Sequence, residues 1–200
     1  MLKDFLLAKP LIYKLFKQII SSKKHRNNLI KKFGIKPGDK ILDIGCGTGD
    51  ILEYLPENID YTGFDINKKY IDAAQKQFKN RGKFFCEEVR SDLTELGSFN
   101  IVLAKGILHH LTDEQTISLF KLAKNSLIKG GRFITFDGCF AGNQSLLVRF
   151  ILNMDRGKFV RNEEEYVKLA KYHFSNVQTE ITHNLINIPY THIIMEGIKD

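Results

Sequence analysis

The composition of this chain is that of one soluble globular domain. Its 200 residues are 43% hydrophobic and 26% charged, and a chain of this length buries a core without disulfides. No apolar run approaches the ~20 residues of a membrane-spanning helix, and the N-terminus lacks the apolar centre of a signal peptide. The three cysteines form no CxxC pair, which argues against a zinc site or a disulfide framework and predicts a reducing, cytoplasmic location.

The net charge of +7 is concentrated near the N-terminus. Residues 1–40 carry a net charge of +9, and the remaining 160 residues carry −2. The overall charge therefore does not predict a nucleic-acid-binding protein. Two interpretations of the basic arm stay open. It could clamp nucleic acid, although few aromatic residues are interleaved with its lysines, or residues 1–36 could make peripheral contact with a membrane surface.

The predicted elements begin with a helix in this arm, because apolar residues recur at helical spacing over residues 11–20. A second helix, residues 26–33, ends at Gly34. Strands and helices then alternate, and this alternation predicts a doubly wound, parallel α/β sheet. Residues 138–174 are expected to form a loop and helices. The predicted strands are residues 40–44, 61–65, 83–89, 99–104, 132–137, 177–182 and 192–198, and the helices between the first five are residues 50–55, 68–80 and 114–128.

The most informative stretch is KILDIGCGTGDIL, residues 40–52, in which three glycines follow a predicted strand. Glycine is costly within regular structure, so a cluster at the end of a strand indicates that a ligand approaches the backbone closely. In such sheets, ligands bind at the carboxyl ends of the strands. The dinucleotide pattern GxGxxG is not matched, because Asp50 stands where the third glycine belongs and its carboxylate would repel a pyrophosphate.

The pattern Asp43-Ile-Gly45-Cys-Gly47-Thr-Gly49 instead resembles the first motif of class I S-adenosylmethionine-dependent methyltransferases. Three later stretches resemble further motifs of this family in the same order. They are Asp65, which follows Gly45 by 20 residues, FNIVLAKGILHHL (residues 99–111) and KGGR (residues 129–132). The resemblance is firm over residues 38–137.

This resemblance implies a fold and a domain organisation. The expected fold is Rossmann-like, with a doubly wound, mostly parallel sheet of seven strands and an antiparallel C-terminal strand. A helical arm, residues 1–36, would act as a lid on a methyltransferase domain, residues 37–200. Residues 138–174 would form a helical insert near the methyl acceptor.

The resemblance also implies S-adenosylmethionine as cofactor and a set of contacts to it. Asp65 would accept hydrogen bonds from both ribose hydroxyls, and the glycine turn would touch the methionine part. Asp43 would orient the turn and the cofactor's ammonium group. Ile66 and Tyr70 would contact adenine. Glu88 would contact the amino group of adenine, and Glu87 is the alternative residue for this contact. The predicted cofactor-binding residues are Tyr13, Asp43, Gly45, Cys46, Gly47, Asp65, Ile66, Tyr70, Glu88, Val89, Ala104, Lys105 and Gly106.

An oxygen or nitrogen acceptor must lose a proton when it is methylated. His109 and His110 follow the fourth predicted strand, and a neutral imidazole suits a general base. Because adjacent residues of a helix point in different directions, only one of the two is expected to face a pocket. Candidate acceptor contacts are Arg156 and Arg161, for an anionic acceptor, and Tyr190 and His192.

Sequence signatures that this chain lacks exclude several classes of methyl acceptor. The stretch Ala104-Lys-Gly-Ile107 lacks the Pro-Pro signature of enzymes that methylate exocyclic amines, and no Pro-Cys pair for cytosine carbon-5 methylation is present. Catechol-type enzymes hold magnesium with acids after both the fourth and fifth strands, whereas this chain has only Asp137 there. The sequence therefore predicts a metal-independent O- or N-methyltransferase acting on a small molecule. An RNA methyltransferase, an enzyme for lipid-like acceptors and a non-catalytic cofactor-binding protein remain as alternatives.

Overall fold

The computed structural model describes residues 22–89, 98–154, 157–183 and 185–200. The predicted arm helix with Tyr13, the stretch 90–97 and Arg156 lie outside these residues. The chain divides into two compact units, of which the first extends to Val89 and includes Leu185–Ile188. Within the described ranges, no helix is both long enough and apolar enough to cross a membrane.

The first unit contains three parallel strands in the order β3-β2-β1. Strands β1 and β2 end in register, because Ile44 pairs with Phe64, so the residues that follow them emerge at the same edge. Ile41 and Leu42 are fully buried, as their continuous apolar run predicts. The elements of this unit are α1 (Lys23–Phe33), β1 (Lys40–Ile44), a 3₁₀ helix (Asp50–Glu53), β2 (Asp60–Phe64), α2 (Lys68–Phe78) and β3 (Lys83–Phe85).

The second unit contains four long strands in the order β4-β5-β8-β7, with the short strand β6 paired to β5. Strands β4 and β5 are parallel, and β8 runs antiparallel to both of its neighbours, β5 and β7. The predicted antiparallel C-terminal strand is therefore confirmed. The elements are β4 (Phe99–Lys105), a 3₁₀ helix (Leu108–His110), α3 (Asp113–Ser126), β5 (Leu127–Phe140), α4 (Leu146–Asn153), β6 (Arg161–Asn162), α5 (Glu163–Ala170), β7 (Asn176–His183) and β8 (Thr191–Ile198).

Two strand predictions, those of β3 and β5, were wrong in detail, and one short strand was not predicted. Strand β3 ends at Phe85 rather than at Val89; its last pair with β2 is Phe64–Phe85, followed by one hydrogen bond from the N–H of Asp65 to the carbonyl of Phe85 at 3.1 Å. Strand β5 begins at Leu127 and includes the KGGR stretch, where the N–H of Gly130 donates to the carbonyl of Lys199 at 2.8 Å. The two-residue strand β6 was not predicted, since so short a segment leaves no alternating pattern.

Candidate functional site

The glycine turn after β1 requires glycine for its own conformation. Gly45, Gly47 and Gly49 have φ angles of 70°, 59° and 69°, in the left-handed region that other residues rarely adopt. The N–H groups of Gly45 and Cys46 both donate to the carbonyl of Phe64, at 2.7 and 2.9 Å. The turn is thus fixed against the end of β2 by main-chain hydrogen bonds.

A second glycine, Gly63 of β2, allows the turn to pack closely. An added Cβ at Gly63 would lie 2.8 Å from Sγ of Cys46, whose side chain is buried. The sequence prediction did not include Gly63. The available signal was a glycine inside an otherwise β-favouring strand, which often marks close approach of another backbone.

Asp65 follows β2 and connects the two strand ends. Its Oδ2 accepts a hydrogen bond from the N–H of Gly47 at 2.9 Å, and its Oδ1 accepts one from the N–H of Asn67 at 2.8 Å. A carboxylate offers about four lone-pair sites, so these two bonds leave acceptor capacity for a ligand with two hydroxyl groups. The half-buried Asp65 and the glycine turn therefore fit the sugar and the main-chain contacts of a nucleoside cofactor.

Asp43 of β1 is completely buried beneath this turn. The hydroxyl of Tyr61 donates a 2.7 Å hydrogen bond to its Oδ2. Burial, followed by the negative charge of Asp43, raises the pKa of Tyr61 well above its usual value, so the hydroxyl keeps its proton and remains a donor. Sequence reasoning missed Tyr61, because a tyrosine in a strand is an ordinary core residue.

The remaining predicted cofactor-binding residues of the first unit differ in their solvent exposure and in their position relative to the strands. Ile66 is 79% exposed directly after Asp65, and Tyr70 is half-buried in α2. Glu88 is exposed and Val89 is buried, both beyond the end of β3, so the prediction that they end this strand was wrong. The proposed adenine contacts of these four residues stay predictions.

In the second unit, the chain turns sharply after β4. Ala104 is fully buried, Lys105 is half-buried and Gly106 is exposed with a φ angle of 68°. The N–H of Gly106 donates to the carbonyl of Phe136 at 2.8 Å, which ties this turn to β5. The predicted role of these residues as backbone contacts to the cofactor stays a prediction.

The two histidines after this turn have different environments, and the expectation that one of them faces a pocket stays a prediction. His109 is buried, and its Nδ1 lies 2.8 Å from Oδ1 of Asp137 on β5. His110 is exposed, and its ring centroid lies 4.2 Å from that of His109. The sequence did not predict the pairing of Asp137 with His109, because 28 residues separate the two side chains.

Arg161 holds the segment of residues 108–111, here called the histidine turn, in place. Its guanidinium donates to the carbonyls of Leu108, Leu111 and Phe159 at 2.8–3.0 Å, and to Asp113 through Nε and Nη2 at 3.0 and 2.7 Å. These five bonds use all five N–H groups of the side chain. The prediction that Arg161 contacts an anionic acceptor was therefore wrong.

Tyr190 and His192 belong to an aromatic cluster beside β5. Both are buried, their ring centroids lie 4.6 Å apart, and His192 stacks on Phe136 at 4.3 Å. Their predicted contact with an acceptor stays a prediction. Across the part of the chain that the structure describes, no group of three or more His, Cys, Asp or Glu residues is arranged to hold a metal ion.

Comparison with known proteins gives consistent matches. Residues 41–131 match a family model described as a methyltransferase domain. Phosphoethanolamine N-methyltransferase 2 of Caenorhabditis elegans is 30% identical over 161 residues, which are 76% of this chain and 36% of the relative. The ubiquinone biosynthesis O-methyltransferase of Chromobacterium violaceum is 26% identical over 156 residues, 73% of this chain and 64% of the relative.

A solved structure is similar over most of the chain. Phosphoethanolamine N-methyltransferase 2 of Haemonchus contortus, in complex with phosphomonomethylethanolamine and S-adenosylhomocysteine, has a TM-score of 0.68 at 17% identity, covering 88% of this chain and 52% of that one. At this identity the similarity shows the fold, and the predicted Rossmann-like, mostly parallel sheet is confirmed. The chain spans between about a third and two thirds of the length of these relatives. Residues 41–131 thus match a methyltransferase domain, and the chain shares the fold of S-adenosylmethionine-dependent methyltransferases, the class I family that its four sequence motifs resemble; the predicted extent of the domain, residues 37–200, stays a prediction.

Proposed function

We propose that this protein is an S-adenosylmethionine-dependent methyltransferase that transfers a methyl group to an oxygen or nitrogen atom of a small molecule without a metal ion. The observation that carries the proposal is the hydrogen bond from Gly47 to Asp65, at 2.9 Å. It joins the carboxylate expected to bind the ribose to the glycine turn expected to bind the methionine part. Two of the family's motifs, separate in sequence, thus meet at one place.

In this proposal, Asp65 binds the ribose hydroxyls and the turn Gly45–Gly47 lets the main chain approach the methionine part. When bound, the cofactor supplies an electrophilic methyl group, so the protein's task is to align the acceptor, exclude water and remove a proton. Asp137, the acid expected at the end of the fifth predicted strand, lies within β5 and is paired with His109. This pairing supports a metal-independent reaction, which is tested by adding EDTA.

Relatives guide the choice of acceptor. The names of two similar proteins state action on the nitrogen of phosphoethanolamine and on an oxygen in ubiquinone biosynthesis. These two names support a nitrogen or oxygen atom of a small molecule as the acceptor here. The basic residues 1–36 keep a lipid-like acceptor at a membrane surface, or RNA, as the alternative. A cytoplasmic location stays a prediction.

The first test is cofactor binding by isothermal titration calorimetry. Asp65→Ala removes acceptors for two charge-assisted hydrogen bonds, each worth roughly 1.5–3 kcal/mol, so the Kd for S-adenosylmethionine should rise at least ~100-fold. Asp72→Ala is the matched control, because Asp72 is an exposed carboxylate paired with Lys68 on the surface of α2. An unchanged Kd in Asp65→Ala contradicts the proposed site.

The second test is product formation. The protein is incubated with methyl-labelled S-adenosylmethionine and, in separate reactions, phosphoethanolamine, 3,4-dihydroxybenzoate, a metabolite extract, total RNA and anionic lipid vesicles. We expect label in a small molecule, with the same yield in EDTA. Label found only in RNA or only in lipid supports the alternatives. Absence of transfer from a cofactor that binds tightly contradicts the proposed activity.

A further inference from the structure

Asp137 and His109 form a buried side-chain pair in the second unit. Nδ1 of His109 lies 2.8 Å from Oδ1 of Asp137, and the main-chain N–H of His109 lies 3.4 Å from the same oxygen. Asp137 is 1% exposed and His109 is 8% exposed. A buried polar pair of this kind is expensive to desolvate, so its presence calls for an explanation.

From this geometry we propose that Asp137 is a positioning residue that fixes the tautomer of His109, so that Nε2 of His109 accepts the proton of the methyl acceptor. The inference rests on the proposed function and assigns its general base. A carboxylate accepts hydrogen bonds, so the nitrogen that faces it, Nδ1, carries the hydrogen. The lone pair of the neutral imidazole then resides on Nε2.

The imidazole is held in this orientation from several sides. The N–H of Phe159 donates to the carbonyl of His109 at 3.0 Å, and Arg161 binds the carbonyls on both sides of the histidine turn. Gly157 packs so closely on the imidazole that a side chain there would collide with it. The Cε1 atom of His109 lies 3.8 Å from the Cβ position at Gly106, so this corner of the ring lies beside the turn that follows β4.

The second oxygen of Asp137 supports a role beyond packing. Oδ2 is buried and has no hydrogen-bond partner among the described residues. An unsatisfied buried carboxylate oxygen is costly in a purely structural pair, because its full desolvation penalty remains. It is expected where a water molecule or a polar group of a ligand completes the site.

Other ionisable groups surround the pair on the elements packed against it. The hydroxyl of Tyr166 on α5 donates to the carbonyl of Gly138, and burial, followed by the charge of Asp137, raises its pKa, so it is neutral. Arg161 is engaged with Asp113. His109 is thus the base paired with this carboxylate. The ionisable groups nearby are Lys105 on β4, His110 on the 3₁₀ helix, Asp113 on α3, Lys158 before β6, Arg161 on β6, Tyr166 on α5, and Tyr190 and His192 at β8.

Nε2 of His109 takes the proton from the O–H or N–H of the acceptor while the acceptor atom forms its bond to the transferred methyl carbon and the bond of that carbon to sulfur breaks. The resulting imidazolium is stabilised by Asp137 and later gives its proton to water. General-base assistance of this kind contributes about 10²–10⁴-fold to a rate.

The first experiment needs no acceptor. Long-range ¹H–¹⁵N NMR of the histidine rings reports the tautomer of His109 in the wild type, in Asp137→Asn and in the control Asp113→Asn. We expect the Nδ1–H tautomer in the wild type and in the control. In Asp137→Asn we expect loss of that single tautomer and a titration midpoint at least about one pH unit lower, because an anionic neighbour is removed. An unchanged tautomer and midpoint in Asp137→Asn overturn the proposal.

The second experiment uses the acceptor found by product formation. Asp137→Asn should lower kcat ~10–100-fold and shift the pH–rate profile, with unchanged Kd for S-adenosylmethionine and near-normal KM. Asp137→Glu should restore part of kcat. If Asp137→Asn does not fold, His109→Ala with added imidazole replaces it, and rescue by imidazole is expected. A normal kcat in Asp137→Asn, or no rescue of a folded His109→Ala, overturns the inference even where cofactor binding and methyl transfer stand.

Discussion

Two carboxylates, Asp65 directly after β2 in the first unit and Asp137 within β5 in the second, are held in different ways. Asp65 accepts hydrogen bonds from main-chain N–H groups of Gly47 and Asn67. Asp137 lies 2.8 Å from Nδ1 of the His109 side chain, 28 residues away, and accepts a longer hydrogen bond, 3.4 Å, from the main-chain N–H of the same residue. Hydrogen bonds to main-chain N–H groups require only that the backbone follows the right path. A contact between two side chains also requires that both residues keep their identity and that the elements carrying them keep their positions. We therefore expect the turn around His109 in the second unit to be more sensitive to single side-chain substitutions than the glycine turn of the first unit.

The largest effect is expected from Arg161→Ala. Three carbonyl groups around the histidine turn lose their donor, at about 1 kcal/mol each, so the free energy of unfolding should fall by about 3 kcal/mol. Chemical denaturation measures the change. The control is Arg149→Ala on α4, whose guanidinium lies 5.7 Å from the ring centroid of Phe140 and should contribute no more than about 1 kcal/mol. Equal losses in the two variants contradict the stated role of Arg161.

A smaller effect is expected in the first unit from Gly63→Ala. The new Cβ would lie 2.8 Å from Sγ of Cys46, so the glycine turn must shift, at a cost of about 1–3 kcal/mol in the free energy of unfolding. The affinity for S-adenosylmethionine should fall about tenfold, which is ~1.4 kcal/mol.

The origin of this cost is tested by a double-mutant cycle with Cys46→Ala, which should recover part of it. Gly142→Ala is the control, because an added Cβ there meets no atom within 4 Å. Wild-type stability and affinity in Gly63→Ala would mean that the turn does not depend on close packing against β2.

The smallest effect concerns pH. Burial raises the pKa of the Cys139 thiol from 9.0 to about 12. The folded state therefore holds this proton more tightly than the unfolded state, and the associated stability is complete below pH 9 and is lost as the pH rises towards 12. The slope from one group is at most about 1.4 kcal/mol per pH unit. Cys139→Ala should show a shallower decline than the wild type in denaturation at pH 8, 9 and 10, and identical slopes contradict this.

The parts of the site that could be predicted from the sequence are those held by the main chain. The turn after β1 leaves its signature as Gly45, Gly47 and Gly49, since a left-handed φ angle selects glycine at each position. Asp65 was predictable from its place, 20 residues after Gly45 at the end of the second predicted strand, which matches the family's second motif. Strand β1 was predicted to the residue, since a turn-forming stretch precedes it and the glycine turn follows it.

The parts that could not be predicted are long-range side-chain contacts. The pairs Tyr61–Asp43 and Asp137–His109 depend on which side chains of neighbouring elements face one another, and no local pattern records this. Arg161 looked like a surface cation among other charges, and only the tertiary structure brings it to the carbonyls around His109. The end of β3 was misjudged because the end of its pairing with β2, at Phe85, leaves no mark in the local sequence.

The carboxylate of Asp65 is engaged with Gly47 and Asn67 before any ligand arrives. Hydrogen bonds to the ribose do not depend on whether the sulfur carries a methyl group, so Asp65 would bind the demethylated nucleoside as tightly as the methylated one. In our proposal, the hydrogen bonds that make the site recognisable also make the enzyme prone to inhibition by its own by-product.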